Sequence, residues 1–280
     1  MDSHGMVMVM GVTGAGKSTL INLLKPGSVK IGHTLKSETK TSQAVQIDLD
    51  ILRRRSITVV DTPGFDDTRR GFDSVFQDIM RYLTLQYALK IPLKGILYLH
   101  PITSNKFRGS DAASLEIFQL LCQGAATLDN VIFLTTGWNN IKTDELRVEA
   151  LRREKELIQE FWKPMLDKGA HAMQFPSNRE EANHIVLRLV SSKQDLVLGV
   201  QRELVDERRG LGDTEVGIWL KKLHVSVNED IGQRAIEDAE QGRRKWRHKI
   251  HGPRAGIHIF FSLVSIVFTL INCLSAFGIV

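Results

Sequence analysis

An α/β fold, with a mainly parallel six-stranded sheet containing one antiparallel strand and held between two helical layers, is what this sequence predicts. Three observations carry that prediction. Up to about residue 190 the chain alternates short apolar runs with longer amphipathic stretches, the signature of strands and crossover helices. Ile57 to Val60 is almost wholly β-branched and apolar, as a strand covered on both faces requires. A glycine-rich turn joins the first apolar run directly to a helix-forming segment.

The elements follow in order. Met6 to Met10 reads as the first strand, being too short for a signal peptide, and Lys17 to Leu24 as the helix after it. Val45, Ile47 and Leu49 alternate with Gln46, Asp48 and Asp50, the pattern of a half-exposed strand. The Leu52 to Ser56 loop should join it to Ile57–Val60 as a hairpin, with Arg53, Arg54 and Arg55 in solvent. A helix is expected over Asp73 to Leu89, a strand over Gly95 to His100 and a helix over Leu115 to Cys122. Val131 to Thr135 forms the fifth strand, Thr143 to Leu166 one long charged helix, and His171 to Phe175 the sixth strand. Beyond Ser191 there is no strand signal. Gly199, Gly210, Gly212 and Gly217 interrupt a Glu-, Arg- and Leu-rich stretch and predict broken helices. The organisation expected is a nucleotide-type domain over 1–190, a helical extension with a basic end over 191–256, and a hydrophobic tail over 257–280.

Composition narrows the function. The chain has 280 residues and a net charge of +5. Arg243, Arg244, Lys245, Arg247, Lys249 and Arg254 account for all of that excess, and no acidic residue follows Glu240. The basic character is thus a local patch, and no nucleic-acid footprint is expected. Ile259 to Val280 carries no charge, and as a helix at about 1.5 Å per residue it would reach across a hydrocarbon core of roughly 30 Å. Basic residues upstream of it predict a single-pass tail anchor with the bulk of the chain in the cytoplasm. The patch, with Trp246, could also bind anionic headgroups. Cys122 and Cys273 fall in regions that should not meet, which argues for a reducing compartment. The histidines and cysteines show no metal-ligand spacing.

The strongest motif runs from Gly11 to Ser18, Gly-Val-Thr-Gly-Ala-Gly-Lys-Ser, which satisfies G-x-x-x-x-G-K-[ST] between a strand and a helix. This is the phosphate loop of P-loop nucleotide triphosphatases. Gly11, Gly14 and Gly16 let successive N–H groups, with those of Thr13, Ala15 and Thr19, turn toward phosphate oxygens. The helix behind them presents its positive end. Lys17 is expected on the β- and γ-phosphates and the Ser18 hydroxyl on Mg²⁺. Asp61, at the end of a buried strand in Asp-Thr-Pro-Gly, is the second magnesium arm, and the Gly64 N–H faces the γ-phosphate.

Ser37 to Gln43, Tyr98 to Ile102, Phe118 to Cys122, Val131 to Trp138 and Gln201 to Val205 extend these two motifs into a resemblance. Residues 6 to about 220 resemble the septin-like GTPases, a group that includes septins, immunity-associated GTPases and chloroplast-import receptors. Fungal G-domain proteins similar to the immunity-associated group are nearest. The resemblance implies GTP and GDP as ligands, Mg²⁺, slow hydrolysis and a homodimer through the G domain. It makes Thr39 the first-switch sensor of γ-phosphate and Mg²⁺, and Thr136 and Asn139 the base-reading positions.

Three positions depart from that pattern. Asn139 stands where an Asp accepts from guanine N1 and N2, so guanine discrimination should weaken. Phe65 follows Gly64 where many small GTPases have Gln, leaving no side chain there to orient water. Pro176, Ser177 and Asn178 replace the Ser-Ala loop, so the last base contact is unassigned. His100 is weighed as a site residue or a polar rim, Trp138 as a base stack or packing, and the three arginines of the hairpin as a finger across a dimer or a solvated turn. Two other functions compete: a protein holding GTP as a structural ligand without hydrolysis, and a P-loop ATPase or nucleotide kinase, which Asp-Thr-Pro-Gly disfavours.

Overall fold

The computed structural model describes residues 5–29, 42–50, 55–64, 71–104, 107, 109–222 and 227–247. Thr39, Arg53, Arg54, Phe65, Cys273 and the Ile259–Val280 segment lie outside the described residues. Among the described residues no helix is long and apolar enough to cross a membrane.

The six strands are β1 (Met6–Gly11), β2 (Gln43–Asp50), β3 (Arg55–Asp61), β4 (Leu93–Pro101), β5 (Val131–Thr136) and β6 (His171–Gln174). They lie in the order β2-β3-β1-β4-β5-β6. The antiparallel pair is β2 with β3, and β1–β3, β1–β4, β4–β5 and β5–β6 are parallel. Since β1 has β3 on one side and β4 on the other, the chain leaves β1 at the point where strand order reverses, and a crevice opens there.

Period-2 alternation in each strand sorts its side chains into the two covered faces. Met6, Met8, Met10, Tyr98 and Phe133 enter one core, while Val7, Val9, Leu97, Leu99, Ile132 and Leu134 enter the other. The second face is covered by α1 (Lys17–Leu24) and α6 (Arg179–Val190), through Leu20, Ile21, Ile185 and Leu189. The first is covered by α2 (Gly71–Ala88) and α3 (Gly109–Cys122). In β2, Val45 and Ile47 are buried while Gln46 and Asp48 are exposed, as expected of an edge strand.

The long helix expected after Thr143 forms, with a break the sequence analysis did not foresee. Thr143 caps α4 (Asp144–Glu156) by accepting from the Leu146 N–H at 3.3 Å, and Asp144 and Glu145 fill the first turn. Leu157–Trp162 then widens into a π-turn before α5 (Lys163–Leu166). Pro164 supplies the reason: it has no N–H to give and its ring crowds the carbonyl of Glu160, so the ladder opens by one residue just upstream. The wider turn buries Trp162 against Phe133, ring centroids 4.8 Å apart, and leaves Phe161 beside Phe107.

After residue 190 the chain is helical in pieces: α7 (Gly199–Val205), α8 (Glu215–Lys222) and α9 (Ile231–Arg247). Their apolar sides, Leu204, Val216, Leu220, Ala235 and Ala239, join the same core as α2 and α3. Gln201 is wholly buried, donating to Leu83 O at 2.9 Å and Gln86 Oε1 at 2.7 Å while its own oxygen accepts from the Leu198 N–H. Every polar atom of that amide is therefore used to seat α7 on α2. Arg81 pairs with Asp238 at 3.7 Å between α2 and α9.

Candidate nucleotide site

The C-terminal end of β1 is fully buried and turns at Gly11, whose φ of 132° lies in the region open mainly to glycine. A Cβ there would collide with the Leu99 carbonyl oxygen of β4. Gly14 and Gly16 follow with φ of 77° and 89°, and Gly16 is the N-cap of α1. The loop thus runs from β1 into the N-terminus of α1, the kind of position at which anions bind, with the Ala15 N–H donating to Val12 O at 3.2 Å inside it.

Lys17 folds back onto the loop. Its Nζ donates to Gly11 O at 2.9 Å and Val12 O at 2.8 Å, and the residue is only 7% exposed. Asp61 ends β3, pairs in register with Val9 and is fully buried. The Ser18 hydroxyl donates to its Oδ2 at 2.8 Å. Two hard oxygen ligands, distant in sequence, therefore meet beside the loop, and this donor set suits Mg²⁺, which takes one or two protein oxygens and keeps its remaining positions for water and phosphate. Among the described residues no group of three or more His, Cys, Asp or Glu side chains is placed to hold a metal ion. Thr62 donates to Val9 O at 2.7 Å, fixing the strand exit, and Gly64 is buried next to it.

The positions expected to read the base come to the same edge. Thr136, at the end of β5, donates to Ala15 O of the phosphate loop at 2.8 Å. Gly137, with φ of 84°, then turns the chain into a 3₁₀ turn, Trp138–Asn140, that leaves Asn139 exposed. Trp138 is half-buried against the core, and its Nε1 donates to Thr135 O and Oγ1 at 3.1 and 3.0 Å. At the β6 exit Ser177 has φ of 56°, while Asn178 caps α6 by accepting from the Glu181 N–H at 2.8 Å. That occupies the Asn178 carbamoyl oxygen and leaves Ser177 as the polar group of this loop.

His100 is 4% exposed, with its ring 5.5 Å from Phe107 and 6.5 Å from Trp162. It lines a small cavity of about 60 Å³ with Arg153, Glu156 and Phe161. Burial holds its imidazole below the usual range, against the opposing pull of Asp111. It is a neutral core residue, neither a rim nor part of the phosphate cradle.

Sequence reasoning missed a set of ties to the neighbouring helices. The Ser42 N–H and hydroxyl both donate to Asp78 Oδ2 at 2.7 Å, and the Tyr82 hydroxyl donates to Ser42 O at 2.8 Å. They bind the entry of β2 to α2. Burial first, and then the Asp78 carboxylate, keep the Tyr82 phenol above its ordinary range, so it remains a donor at neutral pH. No short-range pattern announces such pairs.

Residues 6–115 match the family model of the 50S ribosome-binding GTPases. Septin-9 of Rattus norvegicus is 38% identical over 88 residues, 29% of this chain and 15% of septin-9. The GTPase Era of Agrobacterium fabrum is 38% identical over 69 residues, 25% of this chain and 21% of Era. The matches thus span only a fraction of these curated relatives. Toc33 from Arabidopsis thaliana, solved with GDP and Mg²⁺, superposes with a TM-score of 0.53 at 13% identity, over 69% of this chain and 87% of Toc33. The fold is that of a P-loop GTPase G domain. A second structure, of the chloroplast translocon components atToc33 and psToc159, gives a TM-score of 0.55 at 14% identity, covering 70% of this chain and 86% of that one. In this G domain the phosphate loop, Asp61, Thr136 and Asn139 stand on one edge of the sheet. Thr39 lies outside the described residues.

Proposed function

We propose that the chain binds GTP and GDP with Mg²⁺ and hydrolyses GTP slowly, as a membrane-anchored switch or scaffold. The carrying observation is the pairing of the Lys17 ammonium, held at the mouth of the phosphate loop, with the Ser18–Asp61 contact beside it. On this reading the loop N–H groups and Lys17 hold the β- and γ-phosphates, and Ser18 and Asp61 hold the metal, with Thr39 joining them from the first switch. The metal would supply charge neutralisation between the β- and γ-phosphates. Gly64 would orient the γ-phosphate through its N–H. No general base is assigned, in keeping with a slow reaction.

Turnover by a homodimer through the G domain is part of the proposal, supported by the family resemblance. Dimerization is important for the GTPase activity of atToc33 and psToc159. Single-turnover phosphate release from GTP, followed across a range of concentrations of the full chain, tests it: the rate should rise with protein concentration. Absence of release at every concentration would leave GTP as a structural ligand only.

Asn139 shapes the expected selectivity. It offers one acceptor where guanine presents two donors. Asn139→Asp is expected to tighten GTP about 10-fold, the gain of one well-formed bidentate contact, with little change for ATP. Equal affinity for GTP in parent and variant would remove Asn139 from the base site.

The anchor rests on the uncharged Ile259–Val280 segment and the basic residues before it. The full chain should remain with membranes after carbonate extraction. Its recovery in the supernatant would overturn the anchor without touching the nucleotide site.

A further inference from the structure

The structure assigns Glu154, on α4, as the positioning residue that holds the two base-side loops at one spacing. This rests on reading Thr136–Asn139 as the base loop. Its two carboxylate oxygens each take a different donor. Oε1 accepts from the Thr135 hydroxyl at 2.7 Å, and Oε2 accepts from Gln174 Nε2 at 2.5 Å. Thr135 is the residue just before the base loop and is 1% exposed. Gln174 is the last residue of β6, just before Phe175, Pro176 and Ser177. One side chain from a neighbouring helix therefore bridges the exits of both strands.

Thr135 spreads the constraint. Its hydroxyl, having given its proton to Glu154, accepts from Trp138 Nε1 at 3.0 Å. Its carbonyl accepts from the same indole at 3.1 Å and from the Phe175 N–H at 2.8 Å. The next residue, Thr136, donates to Ala15 O of the phosphate loop at 2.8 Å. Base loop, β6 exit and phosphate loop are thus joined in one hydrogen-bonded frame.

A carboxylate is needed at its branch point, since only a carboxylate accepts on both oxygens at once. Glutamine would keep the Thr135 arm and set two amide donors against each other on the Gln174 arm. The indole N–H is spent inside this frame, and Asn139 and Ser177 are the polar groups offered to the base, their separation set by Glu154.

Base positioning and simple scaffolding move different quantities. A base-positioning residue changes affinity for a nucleoside triphosphate and leaves affinity for inorganic tripolyphosphate, which has no base, unchanged. The test is displacement of a fluorescent GTP analogue from the full chain by GTP and by tripolyphosphate, for the parent, Glu154→Gln, Glu154→Ala and Thr135→Val.

Glu154→Ala should weaken GTP about 10-fold and tripolyphosphate by less than about 2-fold, a gap that exceeds the usual error in additivity. Thr135→Val should give a similar loss, and the double variant should be little worse than either single one, because both act through one contact. Glu154→Gln, the milder change, should fall between parent and alanine variant. Equal losses for GTP and tripolyphosphate, or none for either, would overturn the assignment while the nucleotide reading stands. A parent that holds tripolyphosphate as tightly as GTP would overturn the base reading and the assignment together.

Discussion

Lys17→Ala should lower GTP affinity by about 100-fold or more while the protein stays folded. Truncating one partner of a buried, hydrogen-bonded charge pair costs roughly 2–5 kcal/mol, and each 1.4 kcal/mol is tenfold in affinity. Lys17 is 7% exposed and held by the Gly11 and Val12 carbonyls, so its ammonium is already placed before any ligand arrives. The ordering entropy of a long side chain has been met by folding, which makes the contact worth more to binding than a mobile surface lysine would be.

Removing the ammonium leaves the loop geometry in place, since Gly11, Gly14 and Gly16 set it through their own backbone angles. Arginine should not restore binding, because a planar guanidinium does not substitute for a compact point charge in this niche. Binding of a fluorescent GTP analogue, with circular dichroism as the folding control, reads both arms. An affinity within about 3-fold of the parent would contradict the placement of Lys17.

Trp162→Ala should destabilise the domain by about 3–5 kcal/mol, the usual loss for emptying a buried indole site. Trp162 is 1% exposed, stacks on Phe133 and stands at the end of the π-turn. The backbone there is already committed by Pro164, so the cavity cannot close by winding the helix back to an ordinary turn. At about 2–4 °C per kcal/mol for a domain of this size, the melting temperature should fall by roughly 10 °C. Phe161→Ala, on the half-buried side of the same turn, should cost clearly less. Because α4 carries Glu154 directly upstream of the π-turn, the tryptophan variant should also weaken GTP more than tripolyphosphate. A melting shift below about 2 °C would contradict the packing argument.

The parts of this account that were legible in the sequence are those set by local chemistry. The β1–loop–α1 unit declares itself because its glycines, lysine and serine must be contiguous to wrap one phosphate chain. The β2–β3 hairpin is visible because Val45 and Ile47 alternate with Gln46 and Asp48 at a sheet edge. Asp61 is visible because a carboxylate ending an apolar strand has few other uses.

What escaped depends on contacts between residues distant in sequence. Gln201 on Leu83 and Gln86, Ser42 on Asp78, and Glu154 on Thr135 and Gln174 are pairs that no periodicity can signal. Trp138 and His100 illustrate the same limit from the other side. Each sits in or beside a recognisable motif, and its hydrogen bonds and ring contacts with the core and the loop frame come from residues that the motif does not name. The π-turn was within reach, since Pro164 stands inside an otherwise helical pattern. Proline was the available signal.

The central claim is that this G domain selects a guanine nucleotide held with Mg²⁺. Competition of GTP and ATP against a fluorescent GTP analogue on the full chain, with Mg²⁺ and again with EDTA, tests it most directly. The account predicts that GTP displaces the analogue at a lower concentration than ATP, by a margin narrowed by Asn139, and that EDTA weakens GTP binding. ATP displacing it as well as or better than GTP, or affinity indifferent to EDTA, would contradict it.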